Sequence, residues 1–368
     1  MQCYMKTKLI NRLFGAVLYT SVLSLPACTD WTEPESLTLH SSSLEEQNSQ
    51  LYQDYLLDLK NYKANEHKVM IVSFDNPGNN PSKQAEHLTT LPDSIDFINL
   101  NNPDNLNEEI MLEMEQIKND KGTKTLYTIS HDAFETAWTA KLKEEGGESL
   151  TEEDALKYLG DCTDKALELC EKYHYDGIIV EYTGRSLVSM TESVLAEYNA
   201  RQQNFFNRII EWKQKNEGKS LLLYGNVQYL VPENMNMLSN FNYIILKSLG
   251  STNADDLSVK AYLAVQAGMD AVAGQEGAIN PVPADRFVAC VETPRPEDKE
   301  QTYGYWSTID ANGGKTLATY GAAQWVAANS TDFVRKGVYI QNAHNDYYDN
   351  AFVYQHIREA IQIMNPNK

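Results

Sequence analysis

The stretch Tyr175-Asp176-Gly177-Ile178-Ile179-Val180-Glu181-Tyr182-Thr183 decides the fold. Its centre is apolar without interruption, which a strand with one wet face would not tolerate. Continuous apolar runs of this length mark parallel strands covered on both sides. The same signature returns in Leu221-Leu222-Leu223 and in Tyr243-Ile244-Ile245-Leu246. Working outward from it, eight strand-like runs follow one another: His67 to Asp75, Ser94 to Leu100, Thr123 to Ser130, Tyr175 to Thr183, Ser220 to Asn226, Tyr243 to Ser248, Arg286 to Glu292 and Gly337 to Asn342. Helical patterns separate them. From Glu152 to Tyr173 the residues Leu159, Cys162, Ala166, Cys170 and Tyr173 form one stripe, with Thr151 and Asp154 set as a capping box. A second helix, Glu192 to Lys215, carries Leu195, Tyr198, Phe205, Ile209 and Trp212 at helical spacing. Eight strands alternating with helices over some 300 residues predict a (β/α)₈ barrel over 67–366, with a doubly wound open sheet as the alternative.

The N-terminus carries Lys6, Lys8 and Arg12, then an apolar run from Leu13 to Leu25, then Leu25-Pro26-Ala27-Cys28. This is the pattern of a secretory signal over 1–27. The run is short for a membrane span. Its ending resembles the bacterial lipobox, which implies cleavage before Cys28 and acylation of that cysteine. Residues 28–66 are polar, with one weak amphipathic piece near Leu51 to Leu59, and read as a tether between lipid and domain. The expected location is the bacterial outer membrane, at the cell surface, anchored by lipid.

The chain has 31 Lys and Arg against 51 Asp and Glu. Loss of the signal removes three basic and no acidic residues, taking the net charge from −20 to −23. So acidic a surface excludes nucleic acid as a partner. Cys162 and Cys170 lie eight apart on a helix, about 12 Å along its axis, too far for a disulfide. The seven histidines are scattered, without H-E-x-x-H or paired-cysteine spacing, so no structural zinc and no cofactor are expected.

The segment Lys172 to Arg185, K-Y-H-Y-D-G-I-I-V-E-Y-T-G-R, resembles the fourth strand of glycoside hydrolase family 18, whose signature is D-G-x-D-x-D-x-E. Asp176-Gly177 matches. The family's inner aspartates fall on Ile179 and Glu181, and its catalytic glutamate falls on Thr183. The resemblance implies substrate-assisted cleavage, in which the sugar's N-acetyl oxygen attacks and one glutamate protonates the leaving oxygen. Further signature positions depart as well. The S-x-G-G segment of strand three is Ser130-His131-Asp132-Ala133 here, the Tyr-Asp pair of strand six aligns with Lys247-Ser248, and the tryptophan of strand eight falls on Gln341. Threonine has no proton to give near neutral pH. The expectation is a barrel that keeps a pocket and has lost the chemistry.

In such a barrel the functional face lies at the strands' C-terminal ends. The residues there that suit a glycan are Asp75, Glu181, Thr183, Tyr224, Asn226, Lys247, Glu292, Gln341 and Asn342. Trp306, in Tyr303-Gly304-Tyr305-Trp306, and Tyr347, in the loop from Asn342 to Asn350, are expected to stack on sugar rings. Alternate positions along strand four turn Ile179, Glu181 and Thr183 inward. Glu181 reads equally as a sugar-binding group or as a buried partner of Lys247. Lys247 as a Schiff-base nucleophile is disfavoured, because that role wants a desolvated amine and Glu181 would oppose it. Glu292 reads as a site carboxylate or a solvated loop acid.

Three functions compete on these residues. The first is a glycan-binding lipoprotein that captures N-acetylglucosamine-containing oligosaccharides for partner hydrolases and outer-membrane uptake proteins. The second is an active glycosidase whose acid has moved to Glu181 or Glu292. The third is a scaffold protein of an uptake complex without a glycan site. The missing acid at 183 favours the first over the second, and the aromatic loops favour it over the third.

Overall fold

A computed structural model describes residues 44–144, 150–348 and 351–366. Cys28, the lipobox and the last residues of the 342–350 loop lie outside them. The chain divides into two compact units, Met1–Leu51 and Tyr52–Lys368. Described in the first are α1 (Leu44–Gln47) and the opening of α2 (Ser49–Ala64). The second holds the rest of α2 and the barrel.

The order after α2 is β1 (Val69–Phe74), β2 (Phe97–Leu100), α3 (Glu108–Lys121), β3 (Lys124–Ser130), α4 (His131–Glu144), α5 (Glu152–Lys172), β4 (Gly177–Tyr182) and α6 (Glu192–Lys215). There follow β5 (Ser220–Gly225), β6 (Tyr243–Leu246), α7 (Ala254–Ala271), β7 (Phe287–Glu292), β8 (Tyr305–Ile309), β9 (Lys315–Leu317), α8 (Ala318–Ala327), β10 (Arg335–Gln341) and α9 (Gln355–Met364). Eight of these strands close into a barrel in the order β1-β10-β7-β6-β5-β4-β3-β2, and every neighbouring pair is parallel. The expected barrel is therefore the fold, and each barrel strand overlaps a run read from the sequence, β10 starting two residues before its run.

Two apolar layers hold it. Inside the ring, Ile71, Leu126, Ile179, Leu222, Tyr224, Ile245, Val288, Cys290 and Tyr339 pack together. Outside, the alternate residues Ile178, Val180 and Tyr182 meet the helices, as do Leu221 and Leu223. The inward turn of Ile179 agrees with the alternation along strand four. Cys162, Cys170 and Cys290 are free thiols, and burial pushes that of Cys290 up to about 12, so it is inert at neutral pH. The capping box of α5 forms as expected, with Thr151 and Asp154 each accepting from the other's backbone N–H.

Two readings need correction. The segment taken as a tether is folded from residue 52 onward. Leu56 and Leu59 are buried on α2, Lys63 Nζ donates to Ile95 O and Thr123 Oγ1 at 2.7 Å each, and Tyr55 OH donates to Asp93 at 2.7 Å. The weak periodicity hid this, because a helix held by two leucines and polar anchors needs no wide apolar stripe. The other correction concerns Trp306. It lies on the β8–β9 hairpin, 3 % exposed, facing α8. A Cβ on Gly321 would stand 2.2 Å from its ring, so the glycine makes the seat that takes the indole inward. Alternation along a two-stranded ribbon sends one aromatic in and the next out, and a buried ring offers no face to a sugar.

Candidate functional site

Strand four shows what its motif does. Asp176 Oδ2 accepts from Thr125 N–H at 3.0 Å and Oδ1 meets Lys118 Nζ at 2.6 Å. A side chain at Gly177 would put its Cβ 2.1 Å from Ser220 O. The matching Asp-Gly pair is thus scaffold at the start of β4, while the positions that differ from the family signature sit further along it.

At the C-terminal end of β4 the register sets Glu181 beside Ser130 of β3 and Tyr224 of β5. Lys247, just after β6, reaches across. Its Nζ donates to Glu181 Oε1 and to Thr183 Oγ1, 2.7 Å each, stands 4.0 Å from Asp132 Oδ2 and lies over the Tyr224 ring at 4.7 Å. Two hydrogen-bond acceptors, a more distant carboxylate and a π-face thus surround the ammonium. Thr183 N–H donates to the Asp132 carboxylate at 3.2 Å, and Asn226 Nδ2 to Thr183 O at 3.1 Å. Gln341 Nε2 stands 3.5 Å from Tyr224 OH, at the edge of hydrogen-bond range. Below, Tyr224 and Tyr339 meet edge to face, Asn99 Nδ2 donates to Tyr339 OH at 3.2 Å and Thr128 to Asn99 at 3.0 Å, so a polar and aromatic layer floors the mouth.

Six of the expected residues are therefore brought together: Glu181, Thr183, Tyr224, Asn226, Lys247 and Gln341. Glu181 is the partner of Lys247, as one of its two readings held. Glu292 and Asn342 form a second group. Glu292 is 6 % exposed, takes Arg295 through Nε and Nη2 at 3.2 and 3.0 Å, and accepts from Asn342 Nδ2 at 3.2 Å. It is not a solvated loop acid, and Arg295 in turn covers one face of the Tyr303 ring at 3.6 Å. Asp75 is exposed and, with Tyr348 and His344, lines a cavity of about 240 Å³ on the β1 and β10 side. Tyr347 packs against Tyr348 and Tyr354. It stands apart from both groups.

Asp132 was missed as a site residue. The sequence showed it only as a place where glycines were absent. The signal was there in Ser130-His131-Asp132: β3 runs into α4 with no loop, so the first helical carboxylate must project over the barrel rim. Among the described residues His87, Glu109 and Glu113 bring ligand-type atoms within 4.8 Å of one another. His87 Nδ1 lies 2.5 Å from Glu113 Oε1, and Glu113 Oε2 accepts from Leu88 N–H at 2.6 Å. Those bonds tie the β1–β2 connection to α3 and account for the approach of His87 to Glu113.

A family model described as glycoside hydrolase family 18, BT1044-like, matches residues 32–363. Among solved structures, a selenomethionine form of a Glu-to-Gln variant of BT1044 is 15% identical, covering 88% of this chain and 96% of that one, with a TM-score of 0.59. A chitinase from Bacteroides thetaiotaomicron is 12% identical, covering 82% and 97% of the two chains at a TM-score of 0.42. YKL-39, solved in the presence of chitooligosaccharides, is 10% identical over 81% and 100% at 0.44. No curated protein sequence matches.

Proposed function

The chain belongs to glycoside hydrolase family 18, BT1044-like, and from that premise we propose that it captures N-acetylglucosamine-containing oligosaccharides at the barrel mouth without cleaving them. In this reading it is an outer-membrane lipoprotein, anchored through Cys28 and facing outward, that hands glycan to hydrolases and uptake proteins. The observation that carries the reading is the group at the end of β4. Where the family signature has its acid, this chain has Thr183, whose hydroxyl already accepts from Lys247. Glycoside cleavage needs a proton donor within about 3 Å of the leaving oxygen. Glu181 lies two positions deeper, roughly 6–7 Å along the strand, with one oxygen bonded to Lys247. Glu292 is tied to Arg295 and Asn342. What remains at the mouth is a set of fixed donors and acceptors, which suits sugar hydroxyls.

The test is a glycan array with the acylation-free protein, followed by mass spectrometry of its hits after long incubation. Binding without product release is expected from the natural protein. Thr183→Glu should restore little or no turnover, because its carboxyl would face the Lys247 ammonium, a partner that holds a carboxyl in the ionised form, and Ile179 and Lys247-Ser248 leave the N-acetyl group unoriented. Turnover by the natural protein that disappears in Glu181→Gln would overturn the binding reading in favour of a displaced-acid enzyme.

A further inference from the structure

Beside the barrel mouth, outside the strand ring, a cavity of about 370 Å³ opens between the N-terminal halves of α4 and α6. Its charged groups come mostly in settled pairs. Glu135 meets Arg201 at 2.8 Å, Arg201 also holds Glu152, and the Asp132 carboxylate takes the Thr183 N–H. At the rim Arg185 lies over the Tyr198 ring at 5.8 Å, and Glu197 is exposed. His131 is the group that the fold does not explain. It is 6 % exposed, wedged between the Tyr182 and Phe205 rings at 5.1 and 5.0 Å, and its Nε2 has no hydrogen-bond partner among the described residues. Glu135 Oε1 stands 3.7 Å away, beyond bonding range. Burial pushes this imidazole down to about 4, so near pH 7 it is a neutral donor or acceptor. Of the described residues that line this cavity, it is the one with a buried polar atom left without a partner, which is a costly arrangement.

We propose that this cavity is a second sugar pocket, which takes one pyranose unit branching from the glycan whose main chain lies across the barrel mouth. The inference rests on the proposed glycan capture. Size sets the first limit: 370 Å³ falls at the lower end of small-molecule pockets, enough for about one ring and not for a chain. Chemistry sets the second. A neutral imidazole, carboxylates and guanidinium groups alternate acceptors with donors, which matches hydroxyl groups, whereas an anionic ligand would meet Asp132, Glu135 and Glu197 together. Continuity sets the third. Tyr182 and Gly184 line the cavity while Thr183 between them belongs to the mouth, and Asp132 faces both. Gly184 keeps the passage open: its φ is +62°, and a Cβ there would stand 2.7 Å from Tyr198 OH and 2.8 Å from the Tyr182 ring.

The experiment is calorimetric titration of the natural protein with a linear N-acetylglucosamine tetramer and with a branched N-glycan-type oligosaccharide, repeated on the rim variants Arg185→Ala and Glu197→Ala. The branched ligand should bind at least about 10-fold more tightly than the linear one, a gain of about 1.4 kcal/mol. The variants should erase that advantage and leave the linear affinity unchanged. In ¹⁵N spectra the His131 Nε2 resonance should move with the branched ligand and stay put with the linear one. Equal affinities for both ligands, or an advantage that survives in the variants, would overturn the pocket and leave glycan capture standing. Failure of both ligands to bind would remove capture and the pocket together.

Discussion

His131 is buried at the start of α4, between the Tyr182 and Phe205 rings. Those rings, with Asp132 and Glu135 on its own helix and Arg201 from α6, surround a histidine whose pKa lies at about 4, chiefly through burial. Its ordinary value is near 6.5. Between those values the unfolded chain binds the proton that the folded chain refuses, so this residue's contribution is full above pH 6.5 and is lost as pH falls towards 4. The loss is on the order of 3 kcal/mol at the acid end. Carboxylates will titrate in the same window, so the reading is a difference: urea midpoints at pH 7 and pH 4 for the natural protein and for His131→Gln. The natural protein should lose more stability than the variant. Parallel losses would mean that the buried imidazole is not the titrating group. The sequence does not show this residue's role, nor that of Asp132, because both depend on β3 turning into α4 without a loop and on which rings close over the imidazole. The pairing of Glu181 with Lys247 is legible there, because alternation along one strand and the end of another fix where both side chains emerge.

At the scale of elements, the barrel strands were legible because a strand covered on both faces must be apolar at every position, as Ile178 to Val180 and Leu221 to Leu223 are. Elements outside that layer leave weaker traces. The β8–β9 hairpin is largely exposed, and its signal was the turn Asp310-Ala311-Asn312-Gly313-Gly314, with Gly313 at φ +84° and the Asp310 carboxylate accepting from Asn312 and Gly314 N–H. Reading Tyr303 to Trp306 as a loop rather than as the start of that ribbon is what misplaced Trp306. Helix α2 is the other case, since only Leu56 and Leu59 of its apolar residues are buried, while Leu57 is 56 % exposed. This contrast gives a direct test of whether α2 is folded onto the barrel or is a spacer. Leu59→Ala should cost about 2–4 kcal/mol of unfolding free energy, the range for buried leucines, whereas Leu57→Ala should stay within about 0.5 kcal/mol. Denaturant unfolding measures both, and a negligible cost at Leu59 would return the helix to the tether.

For the whole molecule the question is how an acidic barrel would stay at a membrane. The net charge of −23 that remains once the signal is removed works against an anionic lipid surface. No helix among the described residues is long and apolar enough to cross a bilayer. If the proposed lipoprotein reading holds, attachment therefore falls to acyl chains on Cys28, which contribute about 0.8 kcal/mol per buried methylene, and two or three chains together anchor stably where one does not. Such an anchor is indifferent to ionic strength, whereas charge-borne attachment weakens as salt screens it. Cys28→Ser should accordingly move the protein from the membrane pellet to the soluble fraction, and the natural protein should remain in the pellet through a high-salt wash. A Cys28→Ser protein that still sediments with membranes after that wash would be held by contacts of its own surface, and the lipid anchor would have to be given up.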